Sequence, residues 1–227
     1  MKINLKYLSV KEVPKLFWSS PKALTFKPSL VSLAFLVVGL FLFGLGEALI
    51  VSASVGVSPW TVFAQGVSRI TGWDIGLSTF LISVSVLACW IPLRQSPGFG
   101  TVLNAVIIAL VFTYVLPHLP EFGSVAMRIG VAVMGLMITG FGGALYLISN
   151  LGPGPRDGLM TGLQSITQLP IAWVRSAIEL AVICIGWTLG GNVGFGTVMF
   201  ALGIGPSVAV SMYGLRAIAT PSLDPAE

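Results

Sequence analysis

Charge is what this sequence has least of. Only 9% of its 227 residues are charged, against roughly a quarter in a soluble domain, while 55% are apolar and the mean hydropathy is +0.95. Water is thereby excluded as its main solvent. Lysine is absent after Lys27: Lys2, Lys6, Lys11, Lys15, Lys22 and Lys27 all precede the first long apolar run, and the basic residues beyond them are scattered arginines. A nucleic-acid-binding protein would spread such charge over a folded face, so no nucleic acid partner is expected. Cysteine is scarce too. Cys89 and Cys184 fall inside apolar runs with no CxxC or Cys/His spacing, which points away from a disulfide framework or metal site and reads them as buried small hydrophobes. The single histidine, His118, reads as a solvated loop residue. No GxSxG, HExxH, P-loop or Rossmann motif occurs, so neither an enzyme nor a cofactor is expected.

What is present is length in apolar runs. Six stretches could cross a bilayer: residues 30 to 52, 75 to 93, 99 to 117, 125 to 149, 171 to 189 and 195 to 215, each near the roughly 20 residues a spanning helix needs. The fold class expected is an all-α membrane protein with six transmembrane helices. A signal peptide is the competing reading of the first stretch, since basic residues precede it and Ser52-Ala53-Ser54 resembles a cleavage site. Its length and its counterpart later in the chain argue against cleavage. Lysine before the first span places the N-terminus in the cytoplasm. Arg94, Arg156 and Arg216 then fall inside, and Arg69, Asp74, His118 and Glu121 outside. Both termini are expected to be cytoplasmic. Residues 1 to 18 alternate basic and bulky apolar types, which fits either an interfacial amphipathic helix or a mobile tail.

The most informative feature is self-similarity at an offset of 96. Gly39, Gly44, Gly46, Ala48, Leu49, Gly56, Pro59 and Gly66 fall on Gly135, Gly140, Gly142, Ala144, Leu145, Gly152, Pro155 and Gly162. Without a gap, Gly98-Phe99-Gly100-Thr101-Val102 falls on Gly194-Phe195-Gly196-Thr197-Val198, and residues 39 to 108 share 22 identities in 70 positions with 135 to 204. Each copy holds three spans, an odd number, so the second must cross in the opposite sense. The expectation is two inverted three-helix repeats, residues 30 to 117 and 125 to 215, between a cytoplasmic Lys-rich segment (1 to 29) and a cytoplasmic tail (216 to 227). Such architecture is common in secondary transporters, whose substrate sites lie near the midplane between repeats.

After its first span each copy has a short extra segment opened by Pro59 or Pro155. Proline fits a first helical position, where its missing N–H is not needed. These two short helices either dip into the membrane as re-entrant elements or lie flat as connectors.

The residues Leu151-Gly-Pro-Gly-Pro-Arg-Asp-Gly-Leu-Met-Thr-Gly-Leu163, with Val174-Arg175, Ile178-Glu179, Gly186-Trp187, Leu189-Gly-Gly191, Gly194-Phe-Gly-Thr197 and Ile204-Gly-Pro206, resemble the bacterial YczE/YitT-like membrane protein family. The likeness covers about residues 30 to 214 and implies a multi-pass protein of the bacterial inner membrane. It implies no substrate or reaction.

The candidate substrate-binding residues are Glu47, Arg156, Asp157, Arg175 and Glu179. Arg156 and Asp157 stand where the first copy has Trp60 and Thr61. They read as an anion contact at a helix start, or as a positive-inside arginine beside a well-placed first-turn aspartate. Arg175 and Glu179 are four apart on one helical face, opposite Thr79 and Ser83 of the first copy; they line a cavity, or fix helix register as an ion pair. Glu47 lies mid-span with no charge within four positions, opposite Gly143. It must be protonated, paired with Arg156 or Arg175, or a member of an ion path. Asn104 and Asn192 read equally as caps or loop residues and as ligand contacts, and the glycines at 44, 46, 140, 142 and 143 as sites of close helix approach. Together these residues predict a small-solute transporter or channel-like permease, with an anionic substrate as one reading; the alternative is a non-transporting membrane factor that supports a partner protein. Membrane lipid and an unknown small solute are the expected partners, and 227 residues is small enough for a transporter that a homodimer is compatible with it.

Overall fold

A computed structural model describes residues 13–25 and 27–219. The described chain is helical and contains no strand. Its elements are α1 (Leu30–Ala53), α2 (Pro59–Thr71), α3 (Ile75–Trp90), α4 (Phe99–Tyr114), α5 (Val125–Ser149), α6 (Pro155–Thr167), α7 (Ile171–Thr188) and α8 (Phe195–Ala219), with a 3-10 turn at Leu116–His118.

Local chemistry sets the ends. Ser29, Asp74 and Ser124 cap α1, α3 and α5 by accepting from the amides of Ser32, Leu77 and Met127, supplying partners to otherwise orphaned N–H groups. Left-handed backbone at the chain reversals falls in pairs 96 apart: Ser54 and Asn150, Gly56 and Gly152, Gly72 and Gln168, Arg94 and Gly190. The starts of α2 and α6, α3 and α7, and α4 and α8 are also 96 apart. The helices fall on the six expected stretches. Five are long and apolar enough to cross a membrane, or six if α2 and α3, bent by 113°, count as one broken span. The helix of α3 has 16 residues and stops at Trp90 rather than 93, because residues 91 to 94 tighten into turns.

The centre is an antiparallel pair. Gly39 of α1 faces Gly142 and the amide of Tyr146 on α5, while Gly46 faces Gly135 and Thr139. A Cβ added at Gly39 would stand 2.7 Å from the Tyr146 nitrogen, so only glycine lets the backbones approach this closely. Leu36, Leu40, Ala48 and Ile50 of α1 and Ala144 and Ile148 of α5 are fully buried. Helix α4 packs on α1 at Gly44, where Val111 rests, and α8 packs on α5 at Gly140, where Ser207 rests.

Polarity runs inside out compared with a soluble protein. Ser58, Thr61, Thr79, Ser83, Thr101, Thr139 and Ser207 are buried, while Leu30, Ile91, Trp173 and Leu202 are exposed. Apolar groups lose nothing by facing lipid, and hydroxyls need interior partners. For the same reason Cys89 and Cys184, expected to be buried, are exposed on the outer faces of α3 and α7.

Some of the N-terminal segment docks on the bundle. Residues 13 to 18 are neither helical nor detached: Leu16 and Trp18 are buried against Ala144, Leu145, Ile148 and Met212. The Trp18 ring stacks on Phe35 at 4.4 Å, and the Ser20 amide donates to the Ser149 carbonyl at 2.9 Å. The remainder of the amphipathic pattern, residues 1 to 12, lies outside the described residues.

Both short helices start inside the bundle and finish at its surface. Pro59, Trp60, Thr61 and Val62 of α2 are buried, as are Pro155 and Gly158 of α6, whereas Ile70 and Ile166 near their ends are exposed. The start of α2 contacts Glu47, six residues inside the end of α1 and therefore about 9 Å below it at 1.5 Å per residue.

Candidate functional site

The two buried helix starts meet at the wall of a cavity of about 480 Å³. Its lining brings together Glu47, Arg156, Asp157, Arg175 and Glu179, the charged residues singled out from sequence, from α1, α6 and α7. A shallower groove of about 550 Å³ at Gln65, Arg69, Trp187 and Asn192 holds none of them. There the Asn192 backbone N–H donates to Gln65 Oε1 at 3.0 Å.

Glu47 is 2% exposed. Its Oε2 accepts from Ser58 Oγ at 2.7 Å and from Thr61 Oγ1 at 2.8 Å, two hydroxyls at the start of α2. Its Oε1 has no hydrogen-bond partner. Arg156 lines the same cavity, while Arg175 is paired with Glu179. The Arg156 guanidinium carbon stands 5.2 Å from the centroid of the Trp60 ring, a cation–π distance. Among the described residues none of its N–H groups is engaged in a hydrogen bond or ion pair, so all five donors remain available to something in the cavity.

Asp157, in the first turn of α6, accepts from the Tyr146 hydroxyl at 2.8 Å through Oδ2. Arg175 and Glu179 pair with each other, Nε to Oε1 at 2.8 Å, with side chains 46% and 17% exposed. Asn104 faces the same cavity from α4. The remaining wall is apolar and comes largely from α5 and α8: Leu147, Phe200, Ile204 and Val208.

Trp90 of α3 packs against the start of α6. Its Nε1 donates to the Pro155 carbonyl at 2.9 Å, and its ring lies so close over Gly158 that a side chain there would overlap it. The counterpart of Trp90 is Gly186, where α2 crosses α7 with the Phe63 backbone in contact. One position thus carries a wedge on one side and a close crossing on the other.

Sequence reasoning missed Ser58, Thr61, Trp60 and Tyr146. Ser58, just before Pro59, carried the signal of a helix start, but nothing in the sequence showed that this start lies beside Glu47.

The fold and the cavity define a polytopic α-helical membrane protein with a charged pocket inside its bundle. Residues 30–213 match the model of a family of unknown function, DUF6198. An uncharacterized protein of Haemophilus influenzae is 41% identical over 199 residues, covering 88% of this chain and 90% of that protein. The uncharacterized membrane protein YczE of Bacillus subtilis is 30% identical over 174 residues, covering 74% and 79%, and the uncharacterized protein YyaS of the same organism is 24% identical over 166 residues, covering 71% and 83%. The chain belongs to this DUF6198, YczE-like family of membrane proteins. No solved structure matches it.

Proposed function

We propose that the protein is a small-solute transporter or channel-like permease of the bacterial inner membrane. Two inverted three-helix repeats frame a central site, and both termini are cytoplasmic. The observation that carries the reading is the cavity of about 480 Å³, where a buried carboxylate oxygen and an unengaged guanidinium face one space. A charge withdrawn from water without a full set of partners is costly, and such groups are retained where a ligand completes them.

Inversion of the repeats is supported by reciprocal contacts. The Gly100 amide donates to the Leu151 carbonyl at 2.6 Å and the Gly196 amide to the Val55 carbonyl at 2.7 Å, one bond made twice with the copies exchanged. Trp60 and Arg156 are counterparts and touch each other, as residues beside a two-fold axis do. The buried starts of α2 and α6 favour re-entrant helices over flat connectors. Arg156 at the start of α6 favours an anionic group on the substrate, where guanidinium and helix N–H groups act together.

The test is a thermal-shift screen of the purified protein in detergent against inorganic phosphate, sulfate, amino acids and monovalent cations, repeated on Arg156→Ala and Glu47→Gln. A compound binding only the folded state stabilises it by about 2.7 kcal/mol at 100 times its Kd. Stabilisation by one class that is lost in both variants supports the site and directs flux assays in proteoliposomes to that class. Absence of any shift, with both variants as stable as the parent, refutes it in favour of a factor that supports a partner protein.

A further inference from the structure

The cavity is placed where the two halves differ most. In the first half α3 lies along α4: Gly76 packs onto Ala109 and Thr113, and Thr113 Oγ1 donates to Asp74 Oδ1 at 3.0 Å. The counterparts in the second half are Ala172, Gly205, Ala209 and Pro170. Neither Pro170 nor Ala209 has the side-chain polar atom needed to remake the latch, and α7 does not lie along α8 as α3 lies along α4. Helix α7 is left with only Val174, Val182 and Gly186 buried, and a Cβ added at Gly205 would meet nothing within 4 Å. The cavity lies in this gap, with Arg175 and Glu179 on the α7 side and Ile204, Gly205 and Val208 on the α8 side. Pro206 inside α8 removes an intrahelical hydrogen bond beside the gap.

Both helices are long and apolar enough to cross a membrane, so a gap between them offers a route from the bilayer. The space inside offers an apolar α8 wall, five unengaged Arg156 donors, and Glu47 Oε1, buried and unpartnered. With Glu47 ionised, an anion alone would satisfy Arg156 and leave the carboxylate without a donor; a cation alone would do the reverse. We infer that the occupant is a membrane amphiphile whose headgroup carries both a phosphate and a primary ammonium, entering between α7 and α8. Its phosphate lies on Arg156, its ammonium donates toward Glu47, and its acyl chain follows the wall of α8 out through the gap. This deepens the reading of a central site and rests on it.

The experiment is native mass spectrometry of the full chain released from nanodiscs containing equal amounts of phosphatidylethanolamine, phosphatidylglycerol and phosphatidylcholine. A thermal-shift titration with tail-less glycerophosphoethanolamine runs beside it. The expected result is retention of phosphatidylethanolamine at least tenfold over phosphatidylglycerol, which lacks the ammonium, and over phosphatidylcholine, whose ammonium has no N–H. That preference falls to parity in Glu47→Gln, whereas Arg156→Ala, which removes the phosphate contact common to the three lipids, lowers retention of all of them. Gly205→Trp, placed where an added Cβ meets nothing within 4 Å, abolishes retention while its circular dichroism and melting temperature stay those of Gly205→Ala. Equal retention of the three lipids by the parent chain overturns the inference. Stabilisation by the tail-less compound with no lipid retained also overturns it, while leaving a central site for a soluble solute standing. If neither lipid nor tail-less compound binds, both the inference and the central-site reading fall.

Discussion

The seam between α1 and α5 makes a quantitative demand. Gly39 and Gly135 are counterparts, and a Cβ on either would stand 2.7 Å from backbone atoms of the other helix, the Tyr146 nitrogen and the Gly46 oxygen. No side-chain rotation relieves such an overlap, so alanine at either position must push the helices away from each other. Overpacking of this kind costs typically about 1–3 kcal/mol and sometimes more, against a gain of about 1 kcal/mol from replacing glycine within a helix. Because the obstacle is backbone, we take the upper figure and expect a net loss of about 2 kcal/mol for each of Gly39→Ala and Gly135→Ala. Gly130 lies in the same helix as Gly135, yet a Cβ there meets nothing within 4 Å. Gly130→Ala is therefore expected to gain up to about 1 kcal/mol, opening a difference of roughly 3 kcal/mol within one set of single-methyl changes. Unfolding of the detergent-solubilised variants by a graded denaturing detergent, followed by tryptophan fluorescence and circular dichroism, measures it. Gly39→Ala or Gly135→Ala matching Gly130→Ala would refute the close crossing. A cost confined to one of the two would refute the reciprocity of the seam.

Other outcomes follow from the same geometry. Thr61→Val keeps the shape at the start of α2 but takes one of two hydroxyl donors from Glu47 Oε2, and should destabilise by about 1–3 kcal/mol; Glu47→Gln in the same background should recover some of that, as a double-mutant cycle would measure. Glu179 is only 17% exposed and pairs with Arg175 within a span, so Glu179→Gln, which leaves Arg175 without its carboxylate, should cost more than the roughly 0–1 kcal/mol of a surface pair; a smaller loss in a denaturation series would mean that water reaches the pair. Trp18→Ala removes a buried ring stacked on Phe35 and should cost about 3–5 kcal/mol, with loss of the blue-shifted component of the emission; an unchanged spectrum would mean the segment does not dock. Cys89 and Cys184 should react in membranes with a lipid-soluble maleimide far faster than with a charged one, and equal rates would contradict their lipid-facing position.

Much of this protein was legible from order alone, because a bilayer imposes a simple code. A run of about 20 apolar residues has few alternatives to a helix in lipid, so the spans could be read directly. Glycines recurring 96 positions apart announced that the second half repeats the first. Charges inside apolar runs are costly enough to mark a site, and the five singled out do line one cavity. The burial of Cys89 and Cys184 was misjudged because hydrophobicity in a membrane protein does not distinguish core from lipid-facing surface.

Tertiary structure alone decided who meets whom. Ser58, Thr61 and Glu47 are ordinary residues of separate segments until the bend after α1 brings them within 2.7 to 2.8 Å. The sequence left Arg156 and Arg175 as equal partners for Glu47; packing turned Arg175 onto Glu179 and laid Arg156 over Trp60. The gap between α7 and α8 has no sequence pattern of its own, since it results from contacts that Pro170, Ala172, Gly205 and Ala209 fail to make. Composition and periodicity record what each residue needs from its solvent, whereas a pair, a wedge or an opening depends on distances that exist only once the helices have packed.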